Sequence, residues 1–101
     1  MTRTCVGTPI YMSPQVLSQK SYTNKTDIWS LGVLYFELVF GKLPYYGNSE
    51  EELYKSIVKG KLQIPPCSKN TSYLLKNMLE IDESKRLGWN QLFEYYQLGQ
   101  L

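Results

Sequence analysis

An all-α fold is the class this sequence predicts, and three observations predict it. Ser13-Pro14, Ser49-Glu50-Glu51-Glu52 and Ser68 are helix-start signals, each followed by apolar residues at helical spacing. Residues 28–40 form one uninterrupted, largely apolar run that Gly41 closes. The prolines fall in the connectors or at a first helical position, where a missing backbone donor costs nothing.

Residues 1–12 read as loop, since Pro9 removes a donor that a core strand would need. Ser13 then caps a short helix with Pro14 at its first position, and the polar stretch from Ser18 to Asn24 ends it. Thr26 or Asp27 opens the next helix, DIWSLGVLYFELVF. Its apolar side chains cover every face, so composition predicts neighbours on all sides. KLPYYGN (residues 42–48) is a loop. A capping box follows, with Ser49 as the cap and Glu52 reaching back, and its helix runs through Leu53, Ile57 and Val58 to Gly60. LQIPPC is an extended connector. Ser68 caps a helix that buries Leu74, Leu75, Met78, Leu79 and Ile81. Asp82-Glu83-Ser84 makes a turn, and WNQLFEYYQL is the last helix. The count is about five helices, with no repeat and no low-complexity segment.

The totals fit one small domain. The 101 residues are 43% hydrophobic and 20% charged, which is globular composition. A net charge of +2 with no dense Lys/Arg stripe argues against a nucleic-acid partner. The 13-residue run 28–40 contains Glu37 and falls short of the roughly 20 residues of a membrane span. The opening MTRTCVGTPI lacks the apolar region of a secretory signal, so a cytoplasmic location with Cys5 and Cys67 reduced is expected. There is no histidine, and zinc would need carboxylates to complete its shell, so no metal site is expected. Asp27 and Asp82 stand at helix starts, where an acid favours the helix dipole. From residues alone the reading stops at a small all-α domain.

Three segments carry it further. GTPIYMSPQVL (7–17), YTNKTDIWSLGVLYFELVFGKLPYYG (22–47) and IDESKRL (81–87) occur in this order. Together they resemble the C-terminal lobe of eukaryotic protein kinases, from the end of the activation segment to the last helices, over essentially the whole chain. Thr8 in GTP points to the serine/threonine branch, and the GTPIYMSPQVL wording is similar to the unc-51-like kinases. The resemblance implies a partial kinase domain over 1–101. Residues 1–12 would be the end of the activation segment and the substrate platform, and 13–101 the helices of the lobe.

The resemblance also implies site residues. Gly7, Thr8, Pro9 and Tyr11 would form the platform for the residue that follows the phosphorylated serine or threonine. Thr8 would bond the catalytic aspartate and its neighbouring lysine. Thr4, three residues before Gly7, is either an activating phosphorylation site or a solvated loop threonine. Gln15 stands where the family has a glutamate paired with the arginine matching Arg86. An amide keeps a hydrogen bond but loses charge compensation, so the brace should be weaker, and a degenerate pseudokinase is the alternative. Asp27 would hold the catalytic loop, and Leu34 and Leu38 would support the stack beneath the adenine ring. Glu37 would meet a substrate arginine or act as a structural acid.

Phosphoryl transfer needs a glycine-rich phosphate loop, a Lys–Glu pair, a catalytic aspartate and a metal-binding DFG aspartate. None of those motifs occurs in these 101 residues. ATP and magnesium are therefore expected in a complete domain, none bound by this chain alone, with protein substrates as partners beside the kinase's N-lobe and catalytic loop. The competing expectation is a non-catalytic, kinase-like binding module. Because the neighbours that precede the activation segment in the family are missing from the sequence, part of the 27–40 helix should face water.

Overall fold

A computed structural model describes residues 11–18, 20 and 23–97. Among them every regular element is helical: α1 Pro14–Leu17, α2 Asn24–Phe40, α3 Glu50–Lys59, α4 Lys69–Met78, a 3-10 turn Glu83–Lys85, and α5 Trp89–Gln97. Leu98, the last residue of the expected final helix, lies outside the described residues.

Helix α2 is the axis, and it begins earlier than the expected Thr26 or Asp27. Thr23 is the cap: its Oγ1 accepts from Lys25 N at 3.2 Å, while Thr26 Oγ1 accepts from Thr23 N at 3.0 Å. Two threonines three residues apart thus satisfy each other's end of the helix, and Thr26 is the return partner, not the start. Asp27 falls in the first turn. At the other end Gly41 adopts φ 71°, the left-handed conformation that lets its N–H reach Glu37 O at 2.8 Å.

The remaining caps follow the same logic. Ser13 Oγ accepts from Val16 N at 3.2 Å with Pro14 at the first position of α1. Ser49 Oγ accepts from Glu52 N at 3.1 Å, but Glu52 Oε2 reaches back to Asn48 N at 2.9 Å, one residue before the cap. That loop N–H would otherwise be a lone donor where the chain turns into α3. Ser68 Oγ accepts from Thr71 N at 3.1 Å. Asp82 Oδ1 accepts from both Ser84 N (3.0 Å) and Ser84 Oγ (2.7 Å), bonds that hold its carboxyl below the usual carboxylate range.

Two apolar clusters lie against α2. Trp29, Val33 and Phe36 meet Tyr45, Leu53, Ile57, Leu75 and Leu79 in one; Ile28 meets Leu74, Met78 and Leu87 in the other. Successive residues of α4 serve both clusters, so α4 is the wedge between them. Gly32 lets it come close: a Cβ there would lie 2.9 Å from Met78 Cβ and 3.1 Å from Leu79 Cδ2. Ile81, expected on the buried side of the Ser68-capped helix, is half-buried and lies beyond the end of α4. Helix α5 has no buried residue and leans Leu92 and Tyr95 on the second cluster.

As the resemblance led us to expect, part of α2 faces water. Leu31, Leu34 and Leu38 form a stripe at i, i+3 and i+7, and Leu38 is 75% exposed. No helix among the described residues is long and apolar enough to cross a membrane.

Gly32→Ala should lower stability by about 1–3 kcal/mol, because overpacking the α2–α4 contact outweighs the better helix propensity of alanine. Urea unfolding checks this; a variant at least as stable as the parent would show that the two helices separate without loss.

Candidate functional site

The described residues place two constructions against α2: Tyr11, bonded along it at Ser30 and Glu37, and a buried node at Arg86 beside its start.

Tyr11 is fastened to α2 at two points. Its carbonyl accepts from Ser30 Oγ at 2.6 Å, and its hydroxyl donates to Glu37 Oε1 at 2.7 Å. The two anchors are seven residues apart on the helix, about 10 Å along its axis. The ring therefore runs beside α2. The bond to Glu37, aided by desolvation and the same negative charge, raises the Tyr11 hydroxyl above its ordinary ionisation range. Below Tyr11, an open hollow of ≈ 640 Å³ is lined by Asp27, Ser30, Leu31, Leu34, Trp89 and Tyr11 itself.

Arg86 is 1% exposed, and its guanidinium gathers three stretches of chain. Nε donates to Glu80 O at 2.9 Å, Nη1 to Lys25 O at 2.9 Å, and Nη2 to Gln15 Oε1 at 2.7 Å, with Ile81 O at 3.3 Å from Nη2. The group also lies 5.2 Å from the centre of the buried Trp29 ring, within cation–π range. Burial pushes the Arg86 pKa down, opposed by the charges of Glu83, Glu80 and Asp82. Gln15 completes the node from the α1 side: its Nε2 donates to Ile81 O at 2.7 Å.

Of the residues singled out in the sequence, Gln15 and Arg86 are in direct contact, as are Tyr11 and Glu37. Asp27 is exposed and shares the hollow with Leu34, while Leu38 lies farther along the same exposed stripe. Thr4, Gly7, Thr8 and Pro9 lie outside the described residues. Sequence reasoning missed Ser30, whose signal was a lone hydroxyl in an apolar helix, and Trp29 as the surface under Arg86. It had no means of finding the Lys25, Glu80 and Ile81 carbonyls, which are backbone groups common to every residue. Among the described residues no three of His, Cys, Asp and Glu come together as a metal-holding group.

Replacing Arg86 should be costly. Arg86→Met leaves the carbonyls of Lys25 and Glu80 and the amide of Gln15 without their buried donor, a loss of about 3 kcal/mol or more at 1–3 kcal/mol per orphaned group. Arg86→Lys should rescue little of it, because one ammonium cannot reproduce a planar fork. Chemical denaturation of both variants checks the order; a lysine variant equal to the parent would show that charge alone suffices.

Comparison with known proteins agrees with this architecture. Residues 1–96 match the protein kinase domain. The chain is 38% identical over 102 residues to mouse serine/threonine-protein kinase 33, covering 93% of this chain and 20% of that protein. It is 38% identical over 99 residues to the maternal embryonic leucine zipper kinase of Xenopus tropicalis, covering 96% and 15%. It is 32% identical over 100 residues to serine/threonine-protein kinase atg1 of Dictyostelium discoideum, covering 98% and 15%. The chain thus spans a fifth or less of the length of these relatives. With a helical lobe fragment as its structure and a match across nearly all of its residues, the chain belongs to the protein kinase domain family.

Proposed function

We propose that this chain is part of an ATP-dependent protein serine/threonine kinase of the cytoplasm, supplying the substrate platform and the helical scaffold beneath it. The observation that supports the reading is the Arg86 node, because it ties α1, which follows the platform, to the segment after α4. A platform held this way can present a peptide hydroxyl in a fixed position, and positioning is much of what phosphoryl transfer asks of a protein.

In this reading Gly7, Thr8, Pro9 and Tyr11 receive the substrate, with Thr8 bonded to the catalytic aspartate of the complete domain. Asp27 holds the catalytic loop across the hollow, and Leu34 and Leu38 support the stack below the adenine. Glu37, engaged by Tyr11, is a structural acid first and a contact for a substrate cation only where Tyr11 yields it. Thr4 is the activating phosphorylation site. The wording of the 7–17 segment favours the unc-51-like branch.

Magnesium and ATP do not fit the residues of this chain. A bound nucleotide needs a glycine-rich loop, a lysine and two aspartates that converge on phosphate and metal. Asp82 is committed to capping the 3-10 turn, and Asp27 lies in the first turn of α2. No step of the transfer is assigned to these residues; their part is to position.

Two measurements test the proposal. The 101-residue chain alone should transfer no phosphate to a basic protein substrate. Grafted in place of the matching segment of mouse serine/threonine-protein kinase 33, residues 1–96 should give a kinase that phosphorylates serine and threonine. A folded but inactive graft would favour the kinase-like binding module. In the active graft Thr4→Ala should lower the rate on the order of tenfold or more, the worth of one charge-assisted hydrogen bond at ~1.5–3 kcal/mol. An unchanged rate, with no phosphate at Thr4 by mass spectrometry, would remove Thr4 from the scheme.

A further inference from the structure

Ser30 stands on α2 with one hydroxyl hydrogen and two acceptors in reach. Its Oγ lies 2.6 Å from the Tyr11 carbonyl oxygen and 3.5 Å from the Thr26 carbonyl oxygen, one turn back on its own helix. A carbonyl only accepts, so the single proton goes where the distance is short, to Tyr11. The Thr26 carbonyl loses nothing by this. It sits inside α2, where the backbone N–H four residues on is its partner.

A serine within a helix commonly gives its hydroxyl to that same carbonyl four residues back. Ser30 therefore has a second resting place on its own helix when Tyr11 departs. The Tyr11 carbonyl has water as its alternative, since its bond to Ser30 is an exposed one. Breaking the contact orphans no buried group on either side. The other tie of Tyr11, its phenol to Glu37 Oε1, holds the tip of a side chain, whereas Ser30 holds the main chain.

We propose that Ser30 is a positioning residue, a hydroxyl latch that fixes the backbone of residue 11 against α2 and releases it by turning to the Thr26 carbonyl. The latch itself belongs to the folded chain; only its consequence for peptide binding rests on the reading of Tyr11 as substrate platform. In the complete kinase the latched backbone is what an incoming peptide meets. Loosening it weakens binding of the peptide and of the transition state alike, which raises KM and leaves kcat in place.

Chymotrypsin cuts after tyrosine, and cleavage between Tyr11 and Met12 reports how often the backbone there leaves α2. In the whole 101-residue chain, Ser30→Ala should speed that cut roughly three- to tenfold, the worth of one hydrogen bond. Its melting temperature should stay within about 4 °C of the parent, because alanine is the better helix former and offsets part of the loss. Ser30→Thr keeps the hydroxyl, and the open hollow that Ser30 lines gives the added methyl room. It should be cut at the parent's rate. In the active graft, Ser30→Ala should raise KM for the basic protein substrate roughly threefold or more with kcat within about twofold, and Ser30→Thr should restore KM.

Equal cleavage of the parent and Ser30→Ala would overturn the latch. So would an alanine variant that is unfolded while the threonine variant folds, or a KM that does not move in an active graft. An inactive graft that still carries Ser30 removes the kinase reading instead, and the cleavage rates of the chain alone then decide the latch.

Discussion

A buried positive charge on Arg86 is the constraint around which this helical lobe is arranged. An arginine out of water must have its donors met, and here they are met mostly by main-chain carbonyls: Lys25 at the start of α2, Glu80 and Ile81 after α4. Main-chain carbonyls move only with their backbone, so satisfying one guanidinium sets the start of α2 against the connector that follows α4. Gln15 adds α1 to the set. Trp29, fully buried, supplies the floor, and the apolar cluster around it then has a defined edge.

Tyr11 is held by a different kind of bond. Tyr11 and Glu37 meet at the surface, where a hydrogen bond is worth less and exchanges readily with water. The Ser30 bond to the Tyr11 carbonyl is more local and shorter. The Arg86 node is therefore firmly seated by burial, whereas Tyr11 is positioned by exposed polar contacts.

The helices were legible in the sequence wherever a serine preceded a helical apolar pattern: Ser13, Ser49 and Ser68 all cap as read. The start of α2 was misplaced because Thr23 and Thr26 are equally good caps by type, and only the geometry of the pair decides which comes first. The contact of residue 15 with Arg86 was legible only through likeness to the family. The two-way bonding of that amide was not, because it depends on where the Ile81 carbonyl points. The exposed face of α2 was likewise legible only through likeness to the family, since composition alone asks for neighbours on every side.

The wedge position of α4 has a consequence for how the protein opens. Leu74 and Met78 belong to one cluster while Leu75 and Leu79 belong to the other, so neither cluster can come apart without disturbing the helix they share. Small proteins with separable clusters melt in stages, each with its own opening energy. Here the amide protons of α2 and α4 should exchange together at one shared level of protection, with α5, which buries no residue, fraying well before them.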